Sequence, residues 1–202
     1  MIAAIVLAAG RSRRMGTQKL LLPWDQSTVI GHIVGQLLET SVSHVRVVVG
    51  RDADRVTAAL ADRPVAWVTN PQPQADMLSS VRCALRVLPG ECRAALVVLG
   101  DQPRITAALV EAMLQAYDAS DHEILVPFCR GRRGHPMLFA RRYFEEVMTQ
   151  YEGVGLRGLL QAHGPEVCEW PVSIPAVLTD MDTPRDYQRE RRRAGDVGAE
   201  LT

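Results

Sequence analysis

The chain has 202 residues, with 23 basic and 23 acidic side chains and a formal net charge of zero. At 47% hydrophobic it carries enough apolar material for one well-buried domain, which excludes wholesale disorder. The charge balance argues against a general nucleic-acid or membrane-surface binder, though not against a local basic pocket. In chain order, Ile2–Leu7 is an apolar run that reads as a buried strand. It is too short to span a bilayer and lacks a basic leader, so a cytoplasmic location with no membrane partner is expected. Cys83, Cys92, Cys129 and Cys168 form no CxxC pair and read as reduced, structural thiols.

Immediately after this strand comes Gly10-Arg11-Ser12-Arg13-Arg14-Met15-Gly16, then Lys19. Glycines let backbone N–H groups turn inward into a phosphate nest, and cationic side chains add charge-assisted bonds. This is no Walker loop: five residues separate the glycines, and Lys19 lies three positions past Gly16. GxGxxG is absent too. The bland alternative is a solvated basic loop. Against it stands composition: of the 23 basic residues only Lys19 is a lysine. A compact ammonium reaches between phosphates where a planar guanidinium does not.

Further along, Val29–Leu38, Asp54–Leu60, Met77–Leu88 and Ala107–Tyr117 carry helical periodicity. Between them Val45–Val49, Val65–Val68, Ala94–Leu99 and Ile124–Val126 are apolar throughout. Such strands alternating with helices indicate a doubly wound α/β fold, a mostly parallel sheet sandwiched by helices. Ligands in these folds bind beyond the carboxyl ends of the strands. Asp101 stands at such an end, where a carboxylate suits Mg²⁺. A second acidic group, Asp180 and Asp182, follows near the C-terminus; convergence of the two on one metal beside a cationic loop would make a nucleotidyl-transfer site. Taken singly, Asp180 reads as a turn and Asp182 as a helix cap.

The second half is less regular. Gly131–Phe139 reads as a turn into a strand, Arg141–Tyr151 and Leu156–His163 as helices, and Val167–Val172 as a strand. Thr183 and Pro184 are expected to start a last helix to Arg193. No linker divides the chain, so residues 1–193 are expected to form a single domain, with 194–202 a disordered tail. Trp24, Trp67 and Trp170 read as packing residues, and Arg189, Arg191, Arg192 and Arg193 as a solvated helix end.

Together these motifs resemble the MobA-like nucleotidyltransferases, in particular their molybdenum cofactor cytidylyltransferase branch. Leu7–Gly16 fits that family's LAAGxSxRMG signature, and Lys19-Leu20-Leu21-Leu22-Pro23 its continuation. Leu99–Pro103 fits LGDQP, Gly131–Pro136 fits GxxGHP, and Asp180–Tyr187 fits DIDTPEDY. The matches run in order over nearly the whole chain. The resemblance implies a Rossmann-like nucleotidyltransferase fold and transfer of CMP from CTP to the molybdenum cofactor, with release of pyrophosphate and Mg²⁺ as cofactor. It implies a nucleotide-binding set of Leu7, Ala8, Ala9, Gly10, Arg11, Ser12, Arg13, Gly16, Ser80 and Asp101, with Arg14 and Lys19 on the β- and γ-phosphates. Lys19, Arg14 and Asp101 would carry catalysis, Asp101 and Asp182 the metal, and His135 and Gln102 the pterin substrate. A client molybdoenzyme is an expected partner. The alternatives are a related transferase using another nucleotide or phosphorylated acceptor, and a maturation factor that binds the cofactor without transferring to it.

Two positions depart from the family pattern. Asp76 stands where Gly is usual; it reads foremost as the N-cap of the following helix, and secondarily as a carboxylate facing the base. At Glu152-Gly153-Val154-Gly155 the usual Asp is replaced by Gly153, with Glu152 adjacent. His135, between Gly and Pro, is by itself as readily a turn residue as a substrate contact.

Overall fold

The structure, a computed structural model, describes residues 1–10, 12–72 and 76–199. Of the residues expected at the nucleotide, Arg11 lies outside that description, as does the side chain of Arg13. In chain order the elements are β1 (Ile2–Ala8), β2 (Pro23–Trp24), β3 (Ser27–Thr28), α1 (Val29–Leu38), β4 (His44–Val49) and α2 (Ala53–Ala58). Then come β5 (Ala66–Thr69), α3 (Met77–Leu85), β6 (Ala94–Leu99), α4 (Ala107–Asp118), β7 (Ile124–Cys129), β8 (Arg132–Arg133) and β9 (Met137–Ala140). The chain closes with α5 (Phe144–Thr149), α6 (Leu156–Ala162), β10 (Val167–Pro171) and α7 (Pro184–Ala199).

The main sheet runs β10-β7-β9-β6-β1-β4-β5, with β8 paired to β7. It is mostly parallel: β1 pairs in parallel with both β4 and β6, with Leu7 opposite Val48 on one side and Leu99 on the other. The exceptions are β9, antiparallel to both β6 and β7, and the short β8, antiparallel to β7. Alternation along each strand divides the core into two layers. Ala4, Val6, Leu96 and Val98 face α1 and α4, meeting Ile30, Ile33, Val110 and Met113. Ala3, Ile5, Ala95 and Val97 face α3, α5 and α6, meeting Leu78, Val81, Phe144 and Leu159. Both faces being covered explains why these strands carry no polar alternation.

Where the helices stop has local causes. Met77–Leu85 ends before the Leu88-Pro89 pair, three residues short of the periodic pattern. The expected helix from Arg141 begins as a 3₁₀ turn, Arg141–Tyr143, before α5. The last helix continues through Ala199, past Arg193 and into the expected tail; residues 200–202 lie outside the described set. Thr183 and Asp186 form a capping box at its start: the Asp186 carboxylate accepts from Thr183 N at 2.9 Å, and Thr183 Oγ1 accepts from Asp186 N at 3.2 Å. Among the described residues no helix is long and apolar enough to cross a membrane. The four cysteines are free.

The winding reverses between β1 and β6. From β1 the chain proceeds outward to β4 and β5, then returns to lay β6 on the other side of β1. At such a switch point the loops after the two strands diverge to opposite faces and leave a crevice at their carboxyl ends. Gly100 sets how closely its walls meet: its N–H donates to Leu7 O at 3.1 Å, and a Cβ there would lie 2.7 Å from that same oxygen. Gly100→Ala is therefore expected to cost about 2 kcal/mol in denaturant unfolding, through displaced backbone rather than lost contacts.

Candidate functional site

The crevice opens into a cleft of about 510 Å³. Leu7, Ala9, Gly10 and Ser12 reach it from the loop after β1, and Leu99 and Asp101 from the end of β6. Arg14, Lys19 and Leu20 enter from one side, Asp76, Met77 and Ser80 from α3, and Asp180 and Asp182 from the segment before α7.

The loop after β1 is held by one side chain. Ser12 adopts a left-handed conformation, φ 49°, uncommon for a residue with a Cβ. Its hydroxyl donates to Gln18 Oε1 at 2.9 Å and accepts from Lys19 N at 3.2 Å, closing the loop onto itself. Gln18, only 7% exposed, donates in turn to Asp52 Oδ2 at 2.8 Å, anchoring the turn to the start of α2. Leu20 packs into the α1 side of the core. These restraints leave Lys19 little freedom except to reach across the cleft.

Lys19 Nζ donates to Asp101 Oδ2 at 2.5 Å and to Asp182 Oδ1 at 2.9 Å, its side chain 11% exposed. Arg14 donates to the other Asp182 oxygen at 2.6 Å from an exposed position. Burial by itself would lower the Lys19 pKa, but the Asp101 and Asp182 carboxylates outweigh it, so the ammonium is held above its usual value. Asp101 moves the other way from most paired acids: burial raises its carboxyl above 3.8, and neither the charge nor the bond of Lys19 fully offsets it. Asp182 is more open. Burial raises it, yet the bonds and charges of Lys19 and Arg14 carry it below the usual carboxylate value.

The two acidic segments are tied together behind the cleft. Met181 N donates to Asp101 O at 3.2 Å, with the Met181 side chain fully buried. Gln102, 2% exposed, donates from Nε2 to Asp180 Oδ1 at 2.8 Å, while its Oε1 has no partner among the described residues. Gln102 thus stands behind Asp180 and does not line the cleft.

On the α3 wall Asp76 caps the helix, accepting from Ser79 N at 3.1 Å, as its position before the apolar pattern suggests. It also lines the cleft. Ser80 is 6% exposed and accepts from Asn70 Nδ2 at 3.0 Å, an arrangement that leaves its own proton free to donate. Glu152 falls beyond this wall, near Arg82 at 3.8 Å, in a separate hollow. Gly153 adopts φ 73°, a conformation the Asp of the family pattern would hold only under strain.

His135 follows Gly134, where a Cβ would lie 2.3 Å from Val177 O, and its own N–H donates to that oxygen at 2.9 Å. Its ring is half-buried, and burial lowers its pKa against the pull of the Asp101 charge. The neutral imidazole is therefore favoured close to Asp101.

Residues 4–167 match the family model for the MobA-like NTP transferase domain. The chain belongs to this family. As a MobA-like protein it is a nucleotidyltransferase, and several relatives resemble it along most of its length. Molybdenum cofactor cytidylyltransferase of Escherichia coli K12 is 24% identical over 198 residues, 97% of this chain and 98% of that one. The crystal structure of Rv0371c from Mycobacterium tuberculosis H37Rv superposes with a TM-score of 0.83 at 30% identity, covering 93% of this chain and 95% of that one. A structure of Rv0371c in complex with manganese superposes with a TM-score of 0.78. The bifunctional protein GlmU of Halorhodospira halophila is 36% identical over 115 residues, so the matched segment is 56% of this chain and 24% of that protein.

Within this MobA-like framework, Leu7, Ala9, Gly10, Ser12, Arg14, Lys19, Ser80, Asp101 and Asp182 come together at one cleft. Ala8, Gly16, Gln102 and His135 lie outside its lining. The donors suit a hard divalent ion. Asp101 and Asp182 already converge on one cation, the Lys19 ammonium, and Mg²⁺ is characteristically held by one or two carboxylates plus water and phosphate oxygens. Among the described residues no group of three or more His, Cys, Asp or Glu could hold a metal without such added ligands. Gln18, Asn70 and Glu190 are buried polar residues outside the cleft lining that pattern reading passes over, since nothing local marks a buried amide or a buried acid within an arginine run.

Proposed function

We propose that the protein transfers CMP from CTP to the terminal phosphate of the molybdenum cofactor and releases pyrophosphate. The observation that carries this reading is the Lys19 ammonium gripped by Asp101 and Asp182 at the mouth of a nucleotide-sized cleft. The whole-length similarity to the E. coli cytidylyltransferase supports the choice of substrates.

The acceptor phosphate is already ionised, so an oxygen attacks the α-phosphorus without a strong general base. A new phosphoanhydride bond forms as the α–β bridge breaks, and its electron pair leaves with pyrophosphate. The difficulty is electrostatic, since one polyanion must approach another in line. Ser12 and the backbone of Ala9 and Gly10 hold the nucleotide against the carboxyl end of β1. Lys19 and Arg14 turn from Asp101 and Asp182 to the β- and γ-phosphates, neutralising the charge that grows on the leaving group. Asp101 and Asp182, released from Lys19, would hold Mg²⁺, which when bound would supply Lewis-acid neutralisation of the phosphoryl oxygens. His135, kept neutral by burial, serves the pterin side with Gln102 bracing Asp180 behind it. The setting is the cytoplasm, with a molybdoenzyme as the client that receives the finished dinucleotide.

A panel of CTP, GTP, ATP and UTP, each with Mg²⁺ and molybdenum cofactor, tests this by pyrophosphate release. The expected result is release with CTP at least about 10-fold above the others, the scale of one well-placed hydrogen bond between base and protein. Release with GTP and not CTP overturns the nucleotide assignment. Tight cofactor binding with no pyrophosphate from any nucleotide overturns catalysis in favour of a binding factor.

A further inference from the structure

The most deeply buried charge in the described structure plays no part in the chemistry above. Glu190, on α7, is 1% exposed. Its carboxylate meets three guanidiniums: Arg189 at 2.9 Å and Arg193 at 3.1 Å from its own helix, and Arg104 at 3.2 Å from the loop that follows β6. The first two neutralise the acid locally and could do so on any helix. Arg104 is different, because it belongs to another element, three residues past Asp101.

Burying such a cluster costs solvation, and well-packed apolar residues in its place are commonly as stable or more so. What an ion pair adds over an apolar contact is a fixed register between the two elements it joins. Here those elements are the two that carry the acidic pair. Asp182 lies two residues before Pro184, where α7 begins, and Asp101 and Arg104 lie on the loop between β6 and α4. The nearer links, Met181 N to Asp101 O and Gln102 to Asp180, run between the same two segments. On its other side α7 is tied to β2, four residues past Lys19, since Tyr187 Oη donates to Pro23 O at 2.6 Å. One helix is thereby braced against the Asp101 loop and against the strand that follows the Lys19 turn.

We propose that Glu190 is a positioning residue: through Arg104 it sets α7 on the Asp101 loop, so that Asp182 and Asp101 stand at the spacing required to share a divalent cation with a bound triphosphate. This rests on the reading of the cleft as a metal–nucleotide site. It places a determinant of metal affinity two helical turns from any group that touches substrate.

The experiment uses two forms of the full chain, Glu190→Gln and the doubly substituted Arg104→Met/Glu190→Leu. The double form removes both charges of the bridge and keeps the volume apolar, so it is expected to melt within a few degrees of wild type even if the single form is weakened. Binding of Mn²⁺ is followed by the resonance of the free ion, with a non-hydrolysable CTP analogue present, and turnover is measured in parallel. Mn²⁺ affinity is expected to fall about 10-fold in both forms, the usual cost of losing a group that orients a metal ligand. kcat should fall by a similar factor, while KM for the triphosphate at saturating metal stays within about 2-fold, since the phosphate contacts are untouched. A purely structural role would lower the active fraction and leave the Mn²⁺ constant of the folded molecules unchanged; that result overturns the proposal. A wild-type protein that takes up no Mn²⁺ with the analogue fails the metal–nucleotide reading itself, and is told apart by appearing before any substitution is made.

Discussion

Asp101→Asn is expected to reduce nucleotidyl transfer by about 10³-fold while leaving the protein at least as stable as wild type near neutral pH. The two halves of this result have one cause. Asp101 sits at the end of β6, 18% exposed in its side chain, with Lys19 at 2.5 Å. Even with that partner, burial and the neighbouring Asp180 and Asp182 charges raise its carboxyl above 3.8. A folded-state value above the unfolded one means that ionised Asp101 weighs against folding. The stability linked to its protonation is fully present below pH 3.8 and is lost as pH rises through the higher folded value. Asn, which carries no charge, escapes that loss. The melting temperature of the variant should therefore match wild type in acid and move ahead of it as pH rises through the raised value. Asp182 and Asp186 contribute with the opposite sign, since both are depressed, Asp186 chiefly by its Thr183 bonds. Their contribution is present above pH 3.8 and fades as pH falls through their folded values, in wild type and variant alike. Thermal melts across this range, set beside a pyrophosphate assay, check both halves. A variant that melts well below wild type at neutral pH while retaining turnover would show that Asp101 supports the fold rather than the reaction.

The parts of the molecule that were legible in the sequence are those determined by short stretches. Ile2–Leu7 and Ala94–Leu99 are apolar at every position because both faces of the sheet are covered, and they read as buried strands without further help. Lys19 stood out through composition alone, and Asp101 through its place at the end of such a strand. Asp76 as an N-cap and Thr183 with Pro184 at the start of α7 are local chemistry, and both appear as expected. What stayed hidden depends on contacts distant in sequence. Met137–Ala140 is four apolar residues whose antiparallel placement between β6 and β7 nothing local encodes. Gln18 owes its burial to Asp52, 34 positions away, and Glu190 meets Arg104 across 86. The arginines around Glu190 read as a solvated helix end, and Arg191 and Arg192 are exposed. Arg189 and Arg193 are exposed as well, yet each also reaches the buried acid. Its neighbours in the motif place Gln102 at the substrate, yet the turn after β6 directs it inward to Asp180. Polar residues below a tenth exposed are Gln18, Asn70, Ser80, Gln102 and Glu190, and each either lines the cleft or holds a segment that does. Buried polar groups are costly unless satisfied, and their concentration here marks where geometry is most tightly specified.

Lys19→Met is expected to cost turnover about 10³-fold, comparable to loss of a principal charge-stabilising donor, and at the same time to let the nucleotide-free protein bind a divalent ion more tightly. The second effect follows from where the ammonium stands. Its Nζ lies 2.5 Å from one Asp101 oxygen and 2.9 Å from one Asp182 oxygen. A Mg²⁺ or Mn²⁺ ion bound to both carboxylates, at about 2.1 Å from each oxygen, would need much of the same space. It would also face a positive charge at close range, and with a side chain only 11% exposed that repulsion is weakly screened. On the proposed function Lys19 and the metal would then compete in the free enzyme. A triphosphate would resolve the competition by offering Lys19 phosphate oxygens in exchange for the carboxylates, so that nucleotide and metal would bind cooperatively. By linkage, metal strengthens nucleotide binding by the same factor. Methionine fills a similar volume without the charge. Mn²⁺ binding to the nucleotide-free variant should be at least about 10-fold tighter than to wild type, and adding triphosphate should improve it far less. The side chain at residue 19 would then account for both the rate and the order of binding. If Mn²⁺ binds nucleotide-free wild type as tightly as the variant, with the same gain on adding triphosphate, Lys19 does not guard the metal position and its contact with the two carboxylates is only a surface pairing.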